Sequence, residues 1–414
     1  MSLLVRVLFL STILLPAKLF AQDAPTDSIA SPTVIEEVLP DSSNFVTASI
    51  LLSSPGKEAF FALGHSGIRL KCPSKGLDYC FSYSTFLEPG PMFNLYLLLG
   101  KMKAGYEALP FKEYIKTFAD EGRGVMEYPL NLTLHEEQEL WRLMDEKMMK
   151  GPVEKFDFLH NNCTSTLHKC ITSIMENENI QYPKVYPLTE NTRIALGEIF
   201  ATTPWIKFFV MFMMSKPPFP MKEYPIEIVL NPKLWSTILP NASIVGTDGS
   251  ARPALSGQAV QILPQHLTIP IPFWTPEKIF GLILFMVLLL TLLERKMQLR
   301  NMSLATDTFL FIVYNLVSFY LLYTSCLNLF GGFWNYFFVV FNPIPLFFFL
   351  TYRRNKNYNK VWIIYSIILV GFMVFYSVHM GQIEWAQEFV LATLLARCLA
   401  SIPNRKELRH GNNN

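Results

Sequence analysis

The sequence carries almost no net charge and no recognisable metal-binding pattern. Its 35 Lys and Arg residues nearly balance 33 Asp and Glu residues, leaving a formal net charge of +2, whereas nucleic-acid-binding domains have a clear excess of basic residues. The six cysteines form no obvious disulfide framework, and no group of Cys and His residues has the spacing of a zinc site. We therefore expect no nucleic-acid partner, no metal ion and no other cofactor.

Apolar residues are concentrated in the C-terminal third of the chain. The candidate membrane spans lie at residues 278–293, 306–327, 333–352, 361–380 and 385–402. Basic residues cluster at 294–300, at 353–360 and beyond 404, and the positive-inside rule places these segments in the cytoplasm. We predict an α-helical membrane domain of about five spans over residues 275–403, followed by a cytoplasmic tail at 404–414.

The N-terminus has the pattern of a secretory signal. In residues 1–21, Arg6 precedes a short apolar run and a small residue ends the segment, which is typical of a signal peptide; an uncleaved anchor is the alternative. Residues 22–44 are rich in Asp, Ser, Pro and Thr and predict a disordered lead-in. Export would place a domain over residues 45–270 outside the cytoplasm, in agreement with the charge pattern of the spans.

One cysteine has the pattern of a nucleophile at the start of a helix. Leu167, Cys170 and Ile171 recur at helical spacing after Cys163, and Asn162 is a suitable N-cap. Cys163 falls on the same apolar stripe, so its side chain should face the interior, where the positive end of the helix dipole favours the thiolate. The alternative is a small core residue without chemistry. Amides of the first turn, with Asn162, are candidate oxyanion donors.

His65 is the candidate base for this thiol. It lies in a predicted strand over residues 60–71, where it shares one face with Arg69. The strand predicted at 77–84 is its expected hairpin partner and supplies three candidates to orient the imidazole, Asp78, Ser82 and Tyr83.

A short apolar segment at 203–214 is too short to span a bilayer. We interpret it as an in-plane helix dipping into lipid, with a buried core helix as the alternative. Its residues Trp205, Phe208 and Phe209 are predicted to lie near lipid, and Arg69 is grouped with them as a substrate-proximal residue. Residues 240–264 contain Pro, Gly, Ser and Asn throughout and predict a loop.

Four segments carry a family resemblance: residues 64–69, 81–86, 131–133 and 156–164. They resemble the periplasmic domain of the Lnb-type lipoprotein N-acyltransferases of Bacteroidetes, from about residue 45 to about 263, and the multi-span tail also fits. The order of histidine before cysteine is similar to circularly permuted NlpC-type, papain-like folds. Ser82 stands where the family pattern leads us to expect Asn, so the third catalytic residue stays open.

The resemblance implies an α+β papain-like extracytoplasmic domain in a multi-pass protein of the bacterial inner membrane, with its catalytic domain in the periplasm. It implies that Cys163 and His65 transfer an acyl chain from a membrane glycerolipid, through a thioester, to the amino terminus of a diacylated lipoprotein. Two alternatives remain. One is a membrane-anchored cysteine peptidase or amidase acting on peptidoglycan, and the other is a non-enzymatic envelope assembly protein.

Overall fold

The computed structural model describes eleven parts of the chain. They are residues 46–87, 92–152, 154–157, 161–183, 192–213, 215, 230–297, 300–327, 335–344, 358–379 and 384–401. The predicted signal peptide, lead-in and cytoplasmic tail lie outside these residues. The chain divides into two compact units, unit 1 (Met1–Pro183 and Leu230–Leu267) and unit 2 (Lys184–Val229 and Thr268–Asn414). The described residues 192–213, which fall within the domain predicted over 45–270, cluster with unit 2.

Unit 1 is built on an antiparallel sheet of seven strands in the order β10-β5-β1-β2-β3-β4-β6. The strands are β1 Thr47–Ser53, β2 His65–Cys72, β3 Leu77–Phe86, β4 Lys103–Pro110, β5 Val125–Pro129, β6 Glu154–Lys155 and β10 Val260–Leu263. A second sheet has three strands, β7 Glu178–Gln181, β8 Ser243–Gly246 and β9 Ala251–Pro253. The described part of unit 1 is thus α+β, as predicted.

The helices divide between the two units. Unit 1 contains α1 Phe93–Leu98, α2 Phe111–Glu121, α3 Leu134–Met149, α4 Cys163–Ser173 and α7 Pro232–Ile238, whereas unit 2 contains α5 Thr192–Ile199, α6 Pro204–Met213, α8 Pro276–Met297, α9 Arg300–Cys326, α10 Tyr358–His379 and α11 Trp385–Ala400. Local signals set several boundaries. At α3, the Thr133 hydroxyl accepts from the Glu136 amide and the Glu136 carboxylate accepts from the Thr133 amide, which completes a capping box.

The large sheet has a helix layer on each face because successive side chains of a strand point to opposite sides. On one face, Tyr114 and Phe118 of α2 pack with Leu51, Cys80 and Val125 in a buried cluster. The other face carries α3, α4 and α7, which contact β1, β2, β3 and β4. Strand β2 lies in the middle of the sheet, so its alternating residues meet both layers.

The hairpin of β2 and β3 confirms the predicted pairing of the His65 strand, with Gly67 opposite Ser82. The prediction that residues 240–264 form a loop was wrong. Strands β8, β9 and β10 lie there, and β10 pairs with β5 at the edge of the large sheet. These strands are only three or four residues long, too short to produce an alternating pattern among their Pro and Gly residues.

Three helices of unit 2 are long and apolar enough to cross a membrane: Pro276–Glu294, Leu304–Cys326 and Val361–His379. They match the first, second and fourth predicted spans. Within the predicted third span, residues 335–344 contain a short 3-10 helix, Tyr336–Val339, rather than a long helix. The predicted fifth span corresponds to α11, which has 16 residues. The described residues thus support three spans of the predicted five.

Candidate active site

Cys163 is the first residue of α4, as predicted, and Asn162 is its N-cap. The Asn162 Oδ1 atom accepts hydrogen bonds from the amides of Thr164 (2.8 Å) and Ser165 (2.9 Å). Asn162 Nδ2 donates to the carbonyl of Leu230 at 3.2 Å. The amide donor of Asn162, predicted as an oxyanion donor, is therefore engaged. No described residue accepts a hydrogen bond from the backbone N–H of Cys163, so this N–H is the better candidate.

The Cys163 thiol is buried in a hydroxyl-lined contact with β2. Its Sγ atom lies 3.8 Å from Thr164 Oγ1, which is 3.1 Å from the hydroxyl of Ser66. Burial raises the pKa of the Cys163 thiol, although the hydroxyl and backbone groups of Ser66 and Thr164 act in the opposite direction. The predicted thiolate is therefore not the resting form, because loss of hydration outweighs the position at a helix start.

His65 is the first residue of β2 and lies beside Ser53 of β1. The pleat directs His65 towards α2 and its neighbour Ser66 towards α4. The imidazole lies 5.7 Å from the ring centroid of Phe61 and 6.4 Å from that of Phe118. Its Nδ1 atom is buried and has no hydrogen-bond partner among the described residues. His65 thus lies on the α2 face at the start of β2, and the Cys163 helix packs on the opposite face at the next residue, Ser66. The described structure has no hydrogen bond between His65 and Cys163.

The charged residue Arg123 acts electrostatically on this histidine. Its guanidinium lies 4.8 Å from the Phe118 ring centroid, and it donates to the Ser53 hydroxyl (2.7 Å) and the Ser54 carbonyl (2.9 Å). Burial, and secondarily the charge of Arg123, lower the pKa of His65 from 6.5 to about 3. The imidazole is therefore neutral at physiological pH, which is the form required of a base.

Cys163 also interacts electrostatically with Arg123 and with Tyr114 of α2. Tyr114 reaches β2 because Gly67 has no side chain: a Cβ there would lie 2.5 Å from the tyrosine hydroxyl. Arg123 and Tyr114 were missed from the sequence. The one available signal was an arginine between two glycines, at residues 122–124.

Two of the three predicted orienting residues lie in the centre of the sheet. Ser82 is on the same face as His65, and its hydroxyl contacts Ser84 Oγ (2.8 Å) and Glu107 Oε1 (3.2 Å). Glu107, which was not predicted, also accepts from Ser84. Tyr83 points to the opposite face, where its buried hydroxyl has no hydrogen-bond partner among the described residues. Ser82 and Glu107 thus form a polar row on the imidazole side of the sheet.

Asp78 and Arg69 lie away from His65 and form an ion pair with each other. Arg69 binds Asp78 through two hydrogen bonds of 2.7 and 2.8 Å, pairs with Glu127 at 3.1 Å and lies 3.4 Å above the Phe111 ring. Asp78 is paired with Lys71, six residues along β2 from His65, or roughly 20 Å at about 3.3 Å per residue. In this structure Asp78 therefore does not orient the imidazole, and Arg69 is engaged in an ion-pair network.

The residues predicted to lie near lipid, Trp205, Phe208 and Phe209, are on α6 in unit 2. Trp205 Nε1 donates to the carbonyl of Trp274 at 2.8 Å, and the Phe208 ring lies 5.0 Å from that of Phe280 at the start of α8. Phe209 packs against a buried cluster formed largely by α9, α10 and α11. Helix α6 is therefore part of the packing of unit 2.

The fold and site define a class: a membrane protein with an α+β unit in which the helix that starts at a buried thiol, Cys163, packs on the strand that starts at a neutral imidazole, His65. Within the described residues, no three His, Cys, Asp or Glu side chains converge to hold a metal ion. The family model of the Lnb N-terminal periplasmic domain matches residues 41–191, and that of the Lnb transmembrane domain matches residues 268–407. The chain belongs to the Lnb family, so it is a membrane protein with a periplasmic part. No curated protein and no solved structure matches it.

The cap of α4 gives a first testable prediction. Asn162→Ala should lower the free energy of unfolding by about 1 kcal/mol, because the amides of Thr164 and Ser165 lose their acceptor. Asn162→Asp keeps that acceptor but cannot donate to Leu230, so most of the stability should remain. Thermal unfolding of the full chain in detergent would compare the three proteins. An alanine variant as stable as wild type would contradict this account of the helix start.

Proposed function

We propose that this protein N-acylates the diacylglyceryl-cysteine terminus of lipoproteins, using Cys163 as nucleophile and His65 as base. The observation that carries the proposal is the position of Cys163 at the start of a capped helix, packed on the strand residue next to His65. The membership in the Lnb family and the resemblance of residues 156–164 to its N-acyltransferases support the same chemistry. The acyl donor is a membrane glycerolipid, and no cofactor takes part.

The first half-reaction acylates the enzyme. His65 takes the thiol proton while Cys163 Sγ attacks an ester carbonyl of the glycerolipid. The backbone N–H of Cys163 is the donor for the developing oxyanion. The carbon–oxygen bond of the ester then breaks, the lysolipid alkoxide leaves with the proton from His65, and a thioester remains on Cys163.

The second half-reaction transfers the acyl chain. The α-amine of the lipoprotein cysteine attacks the thioester, and His65 accepts a proton from this amine. The carbon–sulfur bond breaks, an amide forms and the proton returns to the Cys163 thiolate. The amide is more stable than the thioester, so the transfer runs forward.

The resting site is inactive by its own electrostatics. Burial raises the pKa of Cys163 and lowers that of His65 to about 3, so proton transfer from thiol to imidazole is unfavourable before substrate binds. Proton transfer to His65 therefore has to occur together with attack of the sulfur on the bound ester, because the attack moves the negative charge from sulfur to the carbonyl oxygen. Such a site protects the thiol from reaction in the absence of lipid.

Both substrates are anchored in a bilayer, which accounts for the attachment of the domain to membrane helices. We place the protein in the bacterial inner membrane as a multi-pass protein, with the cysteine domain in the periplasm. Its partners are the lipid bilayer, the donor glycerolipid and the diacylated lipoprotein.

The test is detection of the acyl-enzyme. Wild-type protein given a diacyl glycerophospholipid and no acceptor should gain the mass of one acyl chain on the peptide containing Cys163. Neutral hydroxylamine should remove this adduct, since thioesters are labile to it. A peptide with a diacylglyceryl-cysteine amino terminus should discharge the adduct, whereas the same peptide with a blocked amine should not.

The chain offers a matched control for this experiment. Cys163→Ser should form no hydroxylamine-labile adduct, because a serine hydroxyl is a far weaker acid than a thiol. Cys170→Ser alters another buried thiol of the same helix, 3.4 Å from the Tyr106 hydroxyl, and should react as wild type does.

A peptidase or amidase would give no adduct from lipid but would cleave peptidoglycan peptides. A non-enzymatic assembly protein would do neither.

A further inference from the structure

A crevice of about 350 Å³ lies in unit 1, between the ends of β1, β5 and β10 and the helix α7. Its volume is within the range of small-molecule sites, about 300–1,000 Å³. The apolar part of its lining, called here the apolar wall, includes Leu52, Leu63 and Met126, and Lys233 and Gln261 are among its polar lining residues. Residues 230–267, which supply α7 and β10, fall between the two ranges matched by the Lnb family models.

The charge in the lining of the crevice is of one sign, positive. Lys233 is the one charged residue in the described lining, which contains no Asp or Glu. Lys233 is exposed, and no described residue forms an ion pair with it. An apolar wall with a single unpaired cation is complementary to a molecule that joins apolar groups to one negative charge.

The crevice adjoins both catalytic segments. Ser53 lines it and is the cross-strand partner of His65, and Leu63 lies two residues before His65. Pro232, also in the lining, follows closely on Leu230, whose carbonyl accepts from the Asn162 cap of the Cys163 helix. Gly64 keeps the chain close here, at φ 95°, because a Cβ would lie 2.2 Å from the Ser53 carbonyl and 3.2 Å from Pro232.

We propose that this crevice binds the phosphate-bearing end of a glycerophospholipid, with the phosphate at Lys233 and the glycerol and first acyl carbons against the apolar wall. The ester carbonyls of such a lipid lie within a few bonds of its phosphate, so this placement presents an ester to the neighbouring thiol. The inference rests on the proposed function, in that it identifies the donor as a phospholipid rather than an uncharged diacylglycerol.

Equilibrium binding tests the crevice without the reaction. Full-length Cys163→Ala in detergent would be titrated by calorimetry with dihexanoyl phosphatidylglycerol, and separately with dihexanoylglycerol, which lacks the phosphate. Adding Lys233→Met to this Cys163→Ala protein should raise the Kd for the phospholipid about tenfold, the usual size of one charge-assisted contact. The Kd for dihexanoylglycerol should not change. Lys233→Arg should retain the affinity. Lys71→Met removes an exposed lysine at the far end of β2 and should have no effect.

Inorganic phosphate identifies which part of the ligand is recognised. Competition by millimolar phosphate that depends on Lys233 would support recognition of the phosphate group itself, and lack of competition together with the lysine effect would support recognition of the whole phospholipid end. Equal affinity of Lys233→Met and its parent for the phospholipid would overturn the proposal, and so would an equal loss for both lipids. A thioester formed as fast by Lys233→Met as by wild type would reject the crevice and keep the acyltransferase. Binding of the phospholipid that depends on Lys233, without formation of any thioester, would keep the crevice and reject the acyltransferase.

Discussion

Replacing His65 by glutamine is expected to reduce acyl transfer by roughly 10²- to 10⁴-fold, the usual contribution of a positioned base, while the protein stays folded and inserted. Glutamine is close in size to the buried imidazole and can still contact the rings of Phe61 and Phe118, so the core should not collapse. The thiol would then have no base. Single-turnover formation of the acyl-enzyme, followed by mass spectrometry, measures the loss directly.

His168 provides the matched control for this variant. It is also a buried histidine, on the same helix as Cys163, with its ring 6.1 Å from that of Trp235. His168→Gln should cost stability but leave the rate constant for acylation near that of wild type. An active His65→Gln with an inactive His168→Gln would mean that the pairing of base and nucleophile is wrong.

The pH dependence of stability gives a second readout of the same residue. The folded-state pKa of His65 lies below the unfolded value of 6.5, at about 3, so the folded protein binds fewer protons between these values. The stabilisation is complete above pH 6.5 and is lost as the pH falls towards 3. This part of the acid destabilisation should be absent from His65→Gln.

The parts of the fold that could be predicted from the sequence are those that depend on local signals. The start of α4 at Cys163 follows from the side-chain chemistry of Asn162, and the hairpin of β2 and β3 follows from alternation around a turn. Strand β10 could not be predicted, because its four residues gain their place from pairing with β5, which is distant in sequence. Pairing of this kind leaves little trace in local composition.

The candidate site was predictable in its reacting groups but not in their surroundings. His65 and Cys163 have residue types that indicate chemistry, whereas the roles of Ser66 and Thr164 depend on which face of β2 each helix covers. The ionisation of the thiol was predicted wrongly for a different reason. The sequence indicated that Cys163 faces the interior, but the loss of hydration on burial raises its pKa more than the helix start and the neighbouring hydroxyl groups lower it.

Replacing Arg123 by methionine is expected to lower the stability of the protein strongly. The guanidinium is 2% exposed, donates to the Ser53 hydroxyl and the Ser54 carbonyl, and contacts the rings of Phe61 and Phe118. Methionine fills part of this space but leaves both acceptors without their donor. The free energy of unfolding should fall by about 2–4 kcal/mol, which is measurable as a lower unfolding temperature.

A change in the pH profile separates this electrostatic role from a merely structural one. Without the charge of Arg123, the pKa of His65 should rise from about 3, while burial still holds it below 6.5. The acid limb of kcat/KM, which in wild type should lie near pH 3, should therefore move towards neutral pH in Arg123→Met. Cys163 and Tyr114, which also interact electrostatically with Arg123, have pKa values raised by burial and stay protonated over this range. Arg123→Lys keeps the charge and loses most of the hydrogen bonds, so it should lose stability without this shift. An acid limb at the same pH in all three proteins would mean that Arg123 supports the fold but does not set the basicity of His65.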